Sequence, residues 1–277
     1  MDFFEQQETA RRTSRRLLAA YVLAAALTAA SYGLAAALLL AALTRFALGA
    51  AQVPWPAPAL VTALAGAAIA GAAARRWWQL REGGAAVARL LDARPLQGHA
   101  GAERRLLNVV EEMAIASGVA VPPVHLMADE PAVNALVAGY SPNEAVIIVT
   151  RGALERLSRE ELQGVMGHEF SHLLNGDMAL NLRLAALLAG LTWLGEQGEA
   201  LVYAAAKRPA GSGAFAAWAG AGLAFVGFPG TLAASALRAA VSRQRELLAD
   251  AAAVQFTRDP DAVAGALDSI LALSAHT

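Results

Sequence analysis

Residues 158–172 read SREELQGVMGHEFSH, and this stretch decides how the rest of the chain is read. Ser158 with Glu161 three positions later is a capping-box pair, which predicts a helix running through His172. On a helix, positions i and i+4 share a face, so His168 and His172 can reach one ion while Glu169 stands beside it. Zn²⁺ in such a place acidifies bound water, and a neighbouring carboxylate can take the proton and pass it to a leaving amine. The spacing therefore assigns His168 and His172 as metal ligands and Glu169 as general base. The plainer alternative is two histidines on a structural helix.

A catalytic zinc site keeps three protein ligands and one open position. The chain has no cysteine, so the third ligand must be a histidine or a carboxylate. The extended motif HExxHxxGxxH needs glycine at 175 and histidine at 178, but Asn175 and Met178 stand there. His99, His125 and His276 belong to no ligand pattern. Residues 242–250, SRQRELLAD, offer Glu246 and Asp250 at i and i+4. On a helix Glu246 would complete the site, and Asp250 would hydrogen-bond a ligand histidine from outside it. Judged alone, the segment also fits a solvated charged face with local ion pairs. Beside an HExxH that lacks its third ligand, the metal reading is preferred, with one Zn²⁺ per chain.

Working outward, residues 83–177 have ordinary globular polarity. Residues 102–117 carry apolar side chains at helical spacing, with Gly118 as a stop. Residues 124–127, 133–137 and 146–150 are short enough for strands, the last two flanking the turn Gly139-Tyr140-Ser141-Pro142-Asn143. They predict a small sheet with an antiparallel hairpin.

Beyond that segment the composition changes. Hydrophobic residues make up 57% of the 277 and charged residues only 16%, and mean hydropathy is +0.43, which argues against a wholly soluble globule and for membrane insertion. Twenty-two basic against 23 acidic residues leave a net charge of −1, so nothing points to a nucleic-acid partner. The Ala-rich, almost lysine-free composition reads as a bacterial chain from a high-GC genome. Residues 17–43 are uncharged and about 40 Å long as a helix, enough to span a bilayer and too long for a signal-peptide core. Residues 59–74 form a marginal second span between Trp55 and the pair Trp77 and Trp78. Basic residues crowd the outer flanks (Arg11, Arg12, Arg15, Arg16; Arg75, Arg76, Arg81), whereas the connecting loop has only Arg45. Both ends of this hairpin are thus expected in the cytoplasm.

Two more apolar regions, 184–206 and 214–237, lie between His172 and Glu246. If those residues share one ion, both regions cross the membrane or neither does. The second reads as a good span, bent at Gly227, Pro229 and Gly230; the first is doubtful because of Glu196 and Glu199. The alternative is a helix pair packed against the membrane.

Taken together, Gly167-His168-Glu169-Phe170-Ser171-His172, Asn175-Gly176-Asp177, Ser242-Arg243-Gln244-Arg245-Glu246 and Ala249-Asp250 resemble the M48 metallopeptidases, especially the bacterial HtpX-like membrane proteases. Asn134-Ala135-Leu136-Val137-Ala138-Gly139 resembles that family's N-A-F-A-x-G strand, with Leu136 where Phe is usual. The resemblance implies zinc bound by His168, His172 and Glu246, Glu169 as base, and a strand around Asn134 that lines the cleft and pairs with extended substrate. Arg243 and Arg245 have two readings under it, oxyanion stabilisation or pairing with nearby acids. A role in membrane-protein quality control is also implied.

The expected architecture is an α+β zincin-like (gluzincin) catalytic domain, mostly helical with a small sheet, fused to a helical transmembrane region of three or four spans. Residues 1–82 form the cytoplasmic tail and transmembrane hairpin, and 83–178 the catalytic domain with the HExxH helix. Residues 179–237 form the two apolar helices, and 238–277 the part carrying the third ligand. The expected function is zinc-dependent endopeptidase action on membrane or misfolded proteins at the cytoplasmic face of a bacterial inner membrane. Two alternatives are a CaaX-type prenyl-peptide protease of the same family, for which the spans are too few, and a zinc-binding scaffold or sensor. The scaffold would have no need of Glu169.

Overall fold

The computed structural model describes residues 3–49, 53–98, 101–208 and 213–257; over 3–18 and 242–257 it describes the helical backbone alone. The elements in order are α1 (Phe3–Leu48), α2 (Pro56–Leu80), α3 (Gly84–Leu90), β1 (Arg94–Pro95), α4 (Gly101–Ser117), β2 (Val124–Met127) and β3 (Ala135–Ala138). After a short 3₁₀ turn come β4 (Val146–Thr150), α5 (Arg151–Arg156), α6 (Arg159–Asn175), α7 (Asp177–Ala206) and α8 (Ala214–Thr257). The chain divides into two compact units, Met1–Trp77 with Ala185–Ala240, and Trp78–Leu184 with Val241–Thr277.

Among the described residues the secondary structure of the first unit is all helical. Four segments, Ala19–Leu48, Pro56–Leu80, Asp177–Ala206 and Ala214–Val241, are long and apolar enough to cross a membrane. Their large apolar side chains face outward: Leu23, Leu27, Leu34 and Leu38 of α1 and Phe215, Trp218, Phe225 and Phe228 of α8 are exposed. Such a surface is stable against lipid and costly against water. Inside, the helices approach through small residues. A Cβ on Gly190 would lie 2.6 Å from the Ile69 carbonyl oxygen, and one on Gly227 would lie 2.7 Å from Gly195 Cα. Packing at such contacts, not burial of large side chains, holds helices together in lipid.

Three helices differ from the sequence expectation. The apolar run 59–74 lies within a 25-residue helix, because Pro56 and Pro58 fit the first turn and Arg75–Leu80 prolong its end. The doubtful region 184–206 belongs to one 30-residue helix that starts at Asp177, with Glu196 and Glu199 exposed near its far end. α8, expected as a span over 214–237 bent near Pro229, continues through Pro229 as one helix to Thr257. The lost backbone bond is tolerated where Gly227 and Gly230 press directly against Gly195 and Leu191.

The second unit is built on a four-stranded sheet of order β1-β2-β4-β3. β2 and β4 are parallel, whereas β1 with β2 and β3 with β4 are antiparallel. β4 reads VIIVT and is buried at every position, as a central strand covered on both faces must be. Ile147 and Val149 point into a core with Leu106, Val110 and Met113 of α4 and Leu162, Met166 and Phe170 of α6. Val146 and Ile148 point the other way, onto Ala88 of α3. This period-two division fixes the strand register.

The expected strand 133–137 is shifted to Ala135–Ala138. Val133 turns into the core, and Asn134 is tied to the end of β4: its N–H donates to Thr150 Oγ1 at 2.9 Å and its carbonyl accepts from the Thr150 N–H at 3.0 Å. β3 remains at the sheet edge and packs on α6. α3 and the two-residue β1 carry no pattern that the sequence reading resolved.

Candidate metal centre

Both ends of α6 are fixed by local chemistry. Ser158 Oγ accepts from the Glu161 N–H at 3.1 Å, and Glu161 Oε2 accepts from the Ser158 N–H at 2.8 Å, so the capping box forms in full. At the other end Gly176 takes a left-handed conformation (φ 70°), where a glycine avoids the steric cost of a side chain, and ends the helix. Between them Leu162, Val165, Met166, Phe170 and Leu173 face the core, so the helix cannot rotate without exposing them.

That rotation sets the histidines. His168 and His172 are half-buried, with Nε2 atoms 3.2 Å apart and rings nearly perpendicular at 85°. Two imidazole nitrogens about 2.05 Å from one tetrahedral ion stand about 3.3 Å apart, so the spacing fits a shared Zn²⁺. His172 Nδ1 lies 3.1 Å from Asp177 Oδ2. With Nδ1–H donating to the carboxylate, Nε2 keeps its lone pair and points it toward His168. Asp177 is 6% exposed and sits in the first turn of α7, where the helix dipole favours its negative charge. Glu169 is 8% exposed. Asn175 Nδ2 donates to the buried Ser171 Oγ at 3.2 Å, bracing the last turn.

Asp177 was part of the motif recognised in the sequence, but its contact with His172 was not foreseen. The left-handed residue at 176 reverses the chain and returns Asp177 to the preceding turn, so a Gly-Asp pair directly after the second histidine was the available signal. The expected partner, Asp250, and the expected third ligand, Glu246, lie on the final stretch of α8 with Arg243 and Arg245. Their side chains are outside the described residues. Among the described residues no group of three or more His, Asp or Glu side chains is arranged to hold a metal ion. Asn134 is exposed beside β3, with its own Oδ1 accepting from the Ala135 N–H. His125 stands on β2, where burial pushes its imidazole pKa below the ordinary value; His99 and His276 lie outside the described residues.

The globular unit thus carries a helix that brings two histidines within reach of one ion, on a chain with four membrane-length apolar helices. Residues 101–276 match the family model described as Peptidase family M48, and the chain belongs to that family. It is 38% identical over 167 residues to "Protease HtpX homolog" of Dictyoglomus turgidum, covering 60% of this chain and 53% of that protein. To the proteins of the same description from Streptococcus uberis and Ligilactobacillus salivarius it is 34% and 38% identical over 169 and 170 residues, 59% and 60% of this chain and 56% and 57% of theirs. The chain thus spans about half the length of the curated relatives it matches. No solved structure matches it.

Proposed function

We propose that the chain is a zinc-dependent endopeptidase that works from within the membrane. The observation that carries this reading is the 3.2 Å approach of His168 Nε2 and His172 Nε2, with Asp177 on the far nitrogen of His172. His168, His172 and Glu246 would hold one Zn²⁺, and Asp250 would support a ligand from outside the set. Bound there, zinc would supply a Lewis acid that acidifies water and polarises a scissile carbonyl. Glu169 takes the proton of the attacking water on its carboxylate and delivers it to the nitrogen of the departing amine. Asp177 keeps the Nδ1 proton of His172 in place throughout. Edge strand β3, with Asn134 before it, offers main-chain groups to an extended peptide, which favours unfolded segments over any one sequence. Arg243 and Arg245 keep the two roles that the resemblance implies, oxyanion stabilisation or pairing with nearby acids.

Within the second unit we read the α+β arrangement of β1–β4, α4 and α6 as zincin-like. All four apolar helices are taken as spans. The arginine-rich flanks support a cytoplasmic catalytic side at a bacterial inner membrane. α7 begins at Asp177 itself, which keeps the metal helix within one residue of a membrane-length helix and supports membrane or misfolded proteins as substrates.

Chelation tests the reading. A phenanthroline-type chelator should abolish hydrolysis of an unfolded substrate by the detergent-purified protein, and stoichiometric Zn²⁺ should restore it. Glu246→Ala should lose zinc; full zinc occupancy in that variant would remove Glu246 from the ligand set. Because the chain has no cysteine, single cysteines placed in 83–178 report orientation cleanly. Labelling in intact cells by an impermeant reagent would refute the cytoplasmic assignment.

A further inference from the structure

α2 presents one exposed stripe along its length. The residues at 60, 64, 67, 71 and 74 recur at alternating four- and three-residue spacing, are all exposed, and are all Leu, Ala or Gly. The next positions of the same series are Trp78 and Arg81, and Arg75 is exposed beside them. The face that meets lipid tails therefore ends, without turning away, in an aromatic ring and two guanidinium groups. Trp55 directly precedes the helix and Trp78 stands 23 residues further on, about 35 Å along the axis, against about 30 Å for the hydrocarbon core of a bilayer. Tryptophan at both ends is the pattern of interfacial anchors. Arg81 then falls about 5 Å beyond Trp78, at the depth of headgroup phosphates. Arg75 falls about 5 Å short of Trp78, close enough for its long side chain to extend to the same level.

The Arg81 guanidinium carbon lies 4.0 Å from the centroid of the Trp78 ring, held there by cation–π attraction. That contact fixes the charge in line with the apolar stripe. Among the described residues neither Arg75 nor Arg81 makes a hydrogen bond or an ion pair. The acid that follows them, Glu82, is paired with Arg89. Two guanidinium groups thus stand at the membrane surface with their N–H donors open to an anion from outside.

We propose that Arg75, Trp78 and Arg81 bind the headgroup of an anionic phospholipid. Its phosphate accepts from Arg81, Arg75 adds a second donor from about 9 Å further down the helix, and an acyl chain lies along the apolar stripe. Guanidinium suits this role because its planar fork donates two parallel bonds to a phosphate. A zwitterionic lipid carries the same phosphate but brings an ammonium that both arginines repel, so the pair selects net negative charge. The inference rests on α2 crossing the bilayer and is independent of the metal and of the chemistry at His168.

The test offers the full chain, in mild detergent, equal amounts of phosphatidylglycerol and phosphatidylcholine with identical acyl chains, and counts bound lipid by native mass spectrometry. Phosphatidylglycerol should be retained about twentyfold over phosphatidylcholine. Arg75→Gln and Arg81→Gln should each lower that ratio about fivefold, and the double variant should bring it to about one. Arg81→Lys should keep part of it, and Trp78→Leu, which leaves the face apolar but removes the ring under Arg81, should lower it. Arg104→Gln removes the same charge from an exposed position on α4 and should change nothing, and excess inorganic phosphate should not displace the lipid. Equal retention of the two lipids, an equal fall in Arg104→Gln, or displacement by inorganic phosphate overturns the inference. So does a changed oligomeric mass in Arg81→Gln with lipid retention unaltered, which would make this face a contact between copies. A chain that stays dispersed without detergent and retains neither lipid overturns the reading of α2 as a span, and this inference with it.

Discussion

Asp177 Oδ2 lies 3.1 Å from Nδ1 of His172, although the two residues belong to different helices separated by a single left-handed glycine. With Nδ1–H donating to that carboxylate, the imidazole would keep Nε2 free for the zinc proposed above. Partners of this kind typically change metal affinity by roughly 10- to 100-fold. Asp177→Asn is therefore expected to weaken zinc binding by about that factor, read by competition with a chelator of known affinity. Unaltered affinity would show that the contact is structural.

The same unit carries a pH-dependent tie. The Arg94 guanidinium, 2.7 Å from Glu103 Oε1, together with the N–H groups of Gly98 and Gln97, holds the buried Glu103 carboxyl below its ordinary range. A depressed folded-state pKa stabilises the fold above the unfolded value, and that contribution is lost as pH falls through the folded value. Glu103→Gln is expected to unfold at lower temperature than wild type at pH 7, by about 1–2 kcal/mol in stability, with the gap closing below about pH 4. Thermal melts at pH 7, 5 and 3.5 check the sign; a gap that widens toward acid would contradict it.

Much of this was readable before any coordinates. The capping box and the HExxH spacing of α6 are local, so Ser158, Glu161, His168 and His172 take the places their spacing implies. β2 and β4 are short β-branched runs between turn residues, and the hairpin of β3 with β4 follows from the Gly-Tyr-Ser-Pro-Asn turn. What was not readable depends on distant partners. β3 is displaced because Thr150 captures Asn134, sixteen residues away. The partnership of Asp177 and His172 follows from the dihedral angle at Gly176, and α3 and β1 are too short to show a period.

Helix packing in the first unit gives a paired prediction. A Cβ at Gly227 would sit 2.7 Å from the backbone of Gly195, whereas at Gly222, on the same helix, it would meet nothing within 4 Å. Gly227→Ala should lower the unfolding temperature of the detergent-solubilised protein, with Gly222→Ala equal to wild type or slightly more stable. Equal effects of the two would mean that α7 and α8 do not approach at this point.

Glu169 decides whether the two histidines serve catalysis or only structure. Glu169→Gln keeps the shape of the side chain and removes the proton acceptor without touching either imidazole. The most direct measurement is zinc content and peptide hydrolysis on the same purified sample of this variant. Zinc content close to wild type is expected, with hydrolysis reduced by roughly 10²- to 10⁴-fold. Undiminished hydrolysis at full zinc occupancy would contradict it.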